Sequence, residues 1–259
     1  MKVSAKDKGF KRFSVLILII LSLQILSSLG IISKMSFPSP LSVCAGIGEL
    51  ILTGMPPGYR LLTHIEESLV RVFLGFILAL MTGFLLGIIM GWSKGVSFYF
   101  NPVLELLRPV PPLAWLPLSV LWFGIGIMSK SFLIFLGAFF PILVNTILGV
   151  NSIEKSLIDG CYSLGASRRD IIFKVVIPGS MPSVLTGIRI GMGIGWMTLV
   201  AAELTGVKSG YGLGYMIMTA RDLQRIDLVV AGMVTIGIVG YLLDAGVRLV
   251  EERVLKWRM

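Results

Sequence analysis

The chain has 259 residues, of which 55% are hydrophobic and only 14% charged, and its mean hydropathy is +0.90. Because soluble domains carry about 25% charged residues, this composition excludes a water-soluble protein and indicates a chain embedded in lipid. The net charge of +9 fits the basic loops of membrane proteins, and no basic run interleaved with aromatic residues indicates a nucleic-acid partner. Two cysteines and one histidine predict neither a disulfide framework nor a metal site.

The first apolar segment, Phe13 to Ile32, follows a short basic stretch. It has the length of about 20 residues that crosses a bilayer. No small-residue cleavage site of the A-x-A kind follows it, which favours an uncleaved helix over a signal peptide. Residues 33–60 are rich in proline and predict a loop with an amphipathic piece near Val43–Leu52. Residues 1–60 thus form a tail, a first span and a periplasmic or extracellular loop.

The second span is predicted at Leu61–Trp92, where glycines recur at near-helical spacing and indicate a packing face (Gly75, Gly83, Gly87 and Gly91). The third apolar segment, Phe98–Ile127, is interrupted by Arg108-Pro109-Val110-Pro111-Pro112. Proline removes a backbone donor and breaks a helix. The interruption is either a helix-entry turn near the membrane interface or a break that faces a pathway.

Three more spans are predicted at Ser131–Val150, Pro182–Leu204 and Leu228–Leu249. The predicted fold is therefore all-α, a polytopic membrane protein with six transmembrane helices. Six spans place both termini on one side, and the positive-inside rule assigns that side to the cytoplasm because most basic residues collect there.

The polar segment 151–181 between the fourth and fifth spans predicts two short helices. Asn151 with Glu154 resembles a capping box, and an apolar face follows at Ile153, Leu157, Cys161 and Leu164. Gly165 is expected to end the first helix. A second helix is expected from Ser167, which caps it with Asp170, to Pro178. Helices this short must pack on something: on the spans of this chain, or in a groove of a partner protein. The residues alone leave both alternatives open.

A family resemblance favours the partner. The triplet Asp159-Gly160-Cys161, then Gly165 six residues after Asp159, then Val175-Val176-Ile177-Pro178, resembles the EAA signature of ATP-binding cassette import permeases. Gly160 and Cys161 depart from the alanines of that signature but are also small. Further stretches resemble the taurine, sulfonate and nitrate permeases of that family: residues 107–118, 122–126, 163–168, 185–191 and 195–204. The resemblance covers residues 61–259, interpreted as the importer transmembrane domain with five helices and the EAA loop at 151–181.

The resemblance implies a permease that works as a homodimer on two copies of an ATPase subunit and receives its substrate from an extracytoplasmic solute-binding protein. ATP and magnesium would bind to the ATPase; this chain has no G-x-x-x-x-G-K-[ST] phosphate loop and is expected to bind no cofactor. The expected location is a bacterial or archaeal inner or cell membrane. The resemblance places the coupling helix in the EAA loop, with coupling residues Asp159, Gly160, Cys161, Leu164, Gly165, Ala166, Ser167, Ile177 and Pro178.

Polar and broken positions inside the spans are candidates for the translocation pathway. Arg108 and Arg189 would suit an anion, although arginines near span ends ordinarily extend to lipid headgroups. Glu203 is interpreted first as a structural partner, Trp115 and Trp196 as packing residues, and His64 as a residue at the outer interface. The candidate set is Arg108, Pro111, Pro112, Trp115, Asn145, Arg189, Trp196, Thr198 and Glu203.

The predicted function is the import of a small anion by alternating access, with taurine or another aliphatic sulfonate first and nitrate second. An ion channel is the rival from another class, but a channel does not need a capped double helix in the cytoplasm. An intramembrane enzyme is not expected, because enzymes of that kind need a nucleophile with a base or a metal centre. The single histidine lies at a span end, and the chain has no G-x-S-x-G motif.

Overall fold

The computed structural model describes residues 38–205 and 210–256, with residues 15, 18, 19 and 21–29 of the first apolar segment. The described residues form helices and contain no strand, which confirms the all-α prediction. A short 3-10 helix occupies Pro112–Trp115. The helices are Pro40–Leu52 (α1), Leu61–Trp92 (α2), Lys94–Leu107 (α3), Leu116–Phe123 (α4), Ile127–Asn151 (α5), Lys155–Ser163 (α6), Arg168–Leu204 (α7), Leu213–Asp222 (α8) and Ile226–Val254 (α9).

Four of the described helices, α2, α5, α7 and α9, are long and apolar enough to cross a membrane, and a bent pair, α3 with Pro112–Phe123, raises the number to as many as five. Of the predicted first span, Phe13–Ile32, the structure describes residues 15, 18, 19 and 21–29, and all of these except residue 29 are helical. The polytopic helical fold is therefore confirmed, while the number of six spans stays a prediction.

Helix α5 lies between α2 and α7 and packs along the length of both. The glycines of α2 make this close approach possible, as predicted. A Cβ added to Gly87 would lie 2.5 Å from the Cβ of Thr146, and one added to Gly91 would lie 2.6 Å from that of Val150. Small residues let helix backbones approach in a membrane, where dispersion contacts replace the hydrophobic effect as the driving force.

The third apolar segment is broken, as its prolines predict. Helix α3 ends at Leu107, the chain turns at Arg108–Pro111, and α4 follows at an angle of 85°. A second break follows α4 at Gly124, whose φ of +73° lies in the left-handed region that favours glycine. The short apolar helix α4 therefore lies between two irregular stretches and packs on α5.

Two boundary predictions in the polar segment are wrong. Helix α5 continues through Asn151 because Val150 is still buried against Gly91, so α6 begins only after Glu154, which makes no capping hydrogen bond. Pro178 does not end the second helix. A π-helical turn precedes it at Ile172–Val176, and the helix continues to Leu204.

Helices α1 and α8 pack on α9 at the end of the bundle opposite the polar loop. Because residues 33–60 are rich in proline, they were predicted to form a loop, and only the amphipathic part of α1 was predicted. Helix α8 was not predicted. Arg225 donates hydrogen bonds to Glu49 on α1 (Nη2 to Oε2, 2.6 Å) and to Asp227 on α9 (Nη2 to Oδ2, 2.8 Å). The bonds to Asp227 and then to Glu49 raise the pKa of Arg225 above its ordinary value, and the same bonds connect α1 with the start of α9.

Candidate functional site

The bend between α6 and α7 projects from what we call the loop end of the bundle, formed by residues 151–171. Gly165 has φ +81°, and its N–H donates to the carbonyl of Tyr162 at 2.9 Å. The N–H of Ala166 donates to the carbonyl of Cys161 at 3.0 Å. These bonds satisfy the last carbonyls of α6 in the manner of a left-handed helix end, so Gly165 ends the helix as predicted.

One side of the bend packs on the spans. Ile158, Cys161 and Ala166 contact a cluster of buried residues contributed by α2, α5 and α7: Ile88, Val150, Ile171 and Val176. The predicted apolar face was wrong in part, because Ile158 rather than Leu157 faces this cluster and Leu157 is exposed. The loop therefore packs on its own spans through one face only.

The other side of the bend is apolar and uncovered. Leu164 is 90% exposed, and Tyr162 and Leu157 are exposed beside it. A Cβ added to Gly160 or Gly165 would meet nothing within 4 Å. A leucine at such exposure next to this turn offers apolar surface that no described residue covers, which is typical of an interaction site.

Ser167 fixes the start of α7, as predicted. Its hydroxyl accepts a hydrogen bond from the N–H of Asp170 at 3.2 Å and contacts the carboxylate of Asp170. Arg168 lies over the ring of Trp92, with its Cζ 5.9 Å from the ring centroid, a cation–π arrangement that connects the bend to the end of α2. The bend is therefore held in one orientation relative to the spans.

A cavity of about 360 Å³ lies at the break between α3 and α4. Three predicted pathway residues line it: Arg108, Pro112 and Asn145. The amide nitrogen of Asn145 donates one proton to the carbonyl of Pro141 at 2.8 Å, and its second N–H can donate to a ligand in the cavity. The remaining walls are apolar and come from Val110, Leu136, Gly137, Phe140, Pro141, Val144, Ile190 and Ile194.

Arg108 also borders a second cavity of about 170 Å³, which Asn101 and Glu105 line on the side of α3. The guanidinium is exposed and forms no ion pair with any described residue. One cation and one amide in a largely apolar cavity can hold a small anion, since a guanidinium presents its donors to two oxygens at once.

The other pathway candidates border neither of these cavities. Pro111 and Trp115 belong to the break. Arg189 donates to Asp244 of α9 (Nε to Oδ1, 2.9 Å). Trp196 is buried against Gly240 of α9, and Thr198 is buried near Gly137.

Glu203 belongs to a buried polar network at the opposite end of the bundle. Arg71 donates from Nη1 to Glu203 Oε1 at 2.8 Å and from Nη2 to Glu67 Oε2 at 2.9 Å. Ser68 donates to Glu203 at 3.1 Å, and the N–H of Gly214 donates to its Oε2 at 2.9 Å. The geometry fits the structural role first considered for Glu203.

His64 joins this network and is fully buried within the protein, and its position at the outer interface stays a prediction. With its proton on Nε2, the ring donates to the carbonyl of Met55 at 2.9 Å and accepts at Nδ1 from the N–H of Gly212 at 3.2 Å. Sequence reasoning missed this role because Gly212 lies 148 residues away. The network fastens residues 212–214 onto α2 and α7.

The model of one protein family, described as the binding-protein-dependent transport system inner membrane component, matches residues 83–256. The match spans more than half of the chain, from the middle of α2 through α9. The chain belongs to this family, and its function is that of a permease subunit of an ATP-binding cassette importer. The resemblance read from the EAA segment is thereby confirmed.

Curated relatives refine the comparison. The taurine transport system permease protein TauC of Escherichia coli is 41% identical over 89% of this chain and 83% of its own length. SsuC of Bacillus subtilis, named as a putative aliphatic sulfonates transport permease, is 40% identical over 99% of this chain and 91% of its own length. The nitrate import permease protein NrtB of Synechococcus elongatus is 36% identical over 76% of this chain and 72% of its own length.

Among solved structures, a chain of the MetNI methionine transporter in an inward-facing conformation has a TM-score of 0.64 with 17% sequence identity. The alignment covers 75% of this chain and 95% of that chain. At this identity the likeness concerns the fold, and it supports the helical permease architecture described above.

Proposed function

We propose that two copies of this chain form the transmembrane pathway of an importer for a small sulfonate such as taurine. In this proposal two ATPase subunits dock on the loop ends and a solute-binding protein delivers the substrate to the opposite ends. ATP and magnesium bind to the ATPase subunits and not to this chain. The sulfonate assignment is supported by the identity with TauC and SsuC, and nitrate is the second candidate because of the identity with NrtB.

The single observation that carries the proposal is the exposed apolar bend at Leu164 and Gly165. One side of the bend packs on the spans through Ile158, Cys161 and Ala166, while Leu164 on the other side is exposed. A rigid projection with an apolar tip fits a groove on a motor subunit and can transmit its movement, because packed elements shift as units. The residues around the tip, Asp159 to Ser167, together with Ile177 and Pro178, are the proposed coupling residues.

The proposed orientation places the loop end and both termini in the cytoplasm. Lys155, Arg168, Arg169 and Lys174 lie at the loop end or directly after it, in agreement with the positive-inside rule. With this orientation, the network around Arg71 and Glu203 lies near the outer face, where it holds residues 212–214 at the start of α8.

The cavity at the helix break is the proposed part of the pathway that meets the substrate. In this proposal the guanidinium of Arg108 pairs with the sulfonate, and the amide of Asn145 lies in the same cavity. Pro112 belongs to the break, whose irregular backbone differs from that of a regular helix. Ion contacts at discontinuous helices are a recurrent solution in transporters. Arg189, Trp196, Thr198 and Glu203 stay candidates of second rank, since their polar groups face other helices.

The test is ATP-dependent uptake in proteoliposomes that contain this chain, its ATPase subunit and its solute-binding protein. We expect uptake of radiolabelled taurine, weaker uptake of nitrate, and neither without ATP. Leu164→Ser should lower uptake and ATPase binding, whereas Leu223→Ser, at an exposed leucine of the opposite end, should not. Passage of the anions without ATP would favour a channel, and unchanged uptake by Leu164→Ser would refute the docking surface.

A further inference from the structure

The π-helical turn Ile172–Val176 lies between the bend and the membrane-spanning part of α7. The N–H of Ile177 donates to the carbonyl of Ile172, five residues earlier, instead of to the residue four earlier. On its amino-terminal side, the N–H of Ile172 is shared between the carbonyls of Arg168 and Arg169. Turns of this kind are rare, occur mostly as single turns within α-helices and are frequent at functional sites, so this one requires a physical reason.

The burial pattern supplies the reason. Ile171 is 1% exposed and Val176 is 0% exposed, and both belong to the same buried cluster. Residues five apart on an α-helix, at about 100° each, point about 140° away from each other. The intervening Ile172 and Val175, which an α-helix would place at the centre of that face, are only partly buried. The π turn therefore rotates Ile171 and Val176 onto one side.

Pro178 accounts for the stability of the turn. In a continuous α-helix its ring would press on the carbonyl of Lys174, and that carbonyl would lose its donor. The π turn contains Lys174, so it interrupts the α-helical register that would bring the ring onto this carbonyl, and the helix continues past the proline. The π turn contains one residue more than an α-helical turn. This additional residue is accommodated on the exposed side of the helix, where Phe173 and Lys174 lie.

We propose that this π turn is a positioning element for transport. It sets the angle between the bend, which carries Leu164 toward the ATPase, and the membrane-spanning part of α7. Returning the turn to an α-helix with all residues kept would rotate the bend by about 100°, the angle of one residue. That rotation would carry Ile171 out of the cluster and turn the tip away from the motor. The inference rests on the coupling role proposed above for the bend.

The inference predicts that deleting one residue from the π turn and inserting one residue into it have different effects on the bend. Deleting Phe173 brings Ile171 and Val176 to four residues apart, so an ordinary α-helix keeps both on one face and preserves the angle of the bend. Inserting an alanine after Phe173 places them six apart, on different faces of any regular helix. In a helix without a π turn, both changes would rotate the bend and would damage transport equally.

The experiment compares three proteins: the unaltered chain (the parent), a Phe173 deletion combined with Pro178→Ala, and an alanine insertion after Phe173. For labelling by a water-soluble maleimide only, a separate copy of each protein carries Cys44→Ser, Cys161→Ala and Ile171→Cys, and a parent copy with Lys174→Cys in place of Ile171→Cys is the labelled control. A Pro178→Ala single variant is the matched control for the deletion. Uptake in proteoliposomes and copurification with the ATPase subunit are measured on the proteins without the cysteine substitutions, because Cys161 is itself a proposed coupling residue.

We expect the deletion protein to keep the cysteine introduced at position 171 protected from the maleimide and to transport like the Pro178→Ala control. The insertion protein is expected to expose this introduced cysteine and to lose ATP-driven uptake down to the level without ATP. Equal transport by the insertion and the parent, or labelling of the introduced cysteine in the deletion protein, would overturn the inference. Failure of the parent itself to copurify with the ATPase would instead refute the coupling role of the bend, while the labelling pattern would still report on the π turn.

Discussion

Arg71 of α2 and Glu203 of α7 form an ion pair that is buried from solvent, with Nη1 and Oε1 2.8 Å apart and side-chain exposures of 1% and 0%. Two charges at such burial are costly unless each meets its partner and further donors. Glu203 receives these from Ser68 and the N–H of Gly214, whereas the Nε of Arg71 has no acceptor within the described part of the chain. The pair and its partners connect α2 and α7 with the start of α8.

Replacing Glu203 by glutamine should destabilise the protein strongly, because Arg71 would stay buried without its full counter-charge. Breaking a buried pair by removing one partner costs about 3–5 kcal/mol. The measurement is the midpoint of thermal unfolding in detergent, followed by size-exclusion chromatography. Arg221→Gln is the control, since its pair with Asp222 is more than half exposed. An unfolding midpoint of Glu203→Gln equal to that of the parent would contradict the role of the network.

Gly87→Val should loosen the contact between α2 and α5. The added Cβ would lie 2.5 Å from the Cβ of Thr146, so the helices must separate, and overpacking of this kind costs about 1–3 kcal/mol. The same unfolding assay measures the effect. Gly237→Val on α9, where an added Cβ meets nothing within 4 Å, should leave the midpoint close to that of the parent. If both variants unfold alike, the glycine face does not set the helix distance.

Gly165→Leu should uncouple ATP hydrolysis from uptake while the chain still inserts in the membrane. The φ of +81° at this position costs a side-chain-bearing residue roughly 1–2 kcal/mol, so the bend changes its conformation although the space around it is free. ATPase rate and uptake are measured together in proteoliposomes. Gly95→Leu, at an open position with ordinary backbone on α3, is the control. Normal uptake by Gly165→Leu would refute the coupling assignment.

Arg108→Gln should raise the substrate concentration needed for half-maximal uptake. Hydrogen bonds to charged groups contribute about 1.5–3 kcal/mol, which corresponds to about tenfold or more in affinity. Arg189→Gln should have the smaller effect, because its guanidinium is paired with Asp244, which keeps Arg248 as a partner 3.1 Å away when Arg189 is removed. A larger effect at Arg189 than at Arg108 would move the pathway from the helix break to α7.

Local patterns sufficed to predict the long helices and the bend. Apolar runs of bilayer length specify α2, α5, α7 and α9 because the chain has no other way to satisfy its backbone in lipid. The cap at Ser167 and the turn at Gly165 were predictable for a related reason, since their partners lie within a few residues. The boundary at Pro178 was not, because the π turn that accommodates the proline depends on the buried cluster formed by other helices.

In the candidate pathway, too, the chemistry of single residues could be predicted from the sequence, but their distant partners could not. Sequence reasoning named Arg108, Pro112 and Asn145 for their chemistry, and the structure brings these three to one cavity. It also named Glu203 without its partner, because Arg71 lies 132 residues away. His64 was predicted at the outer interface from its position at the start of a span, but the two backbone partners that meet its ring could not be predicted from the sequence.

By itself, the sequence determined that this chain is embedded in a membrane, where its long helices lie, and that a capped bend stands before its fifth predicted span. Hydrophobic length, glycine and proline act over one or a few turns, so their consequences can be read locally. Only the tertiary structure decided which charges neutralise each other, which polar residues share a cavity, and at what angle the bend leaves the bundle. Those properties depend on side chains far apart in the sequence that meet only when the helices pack.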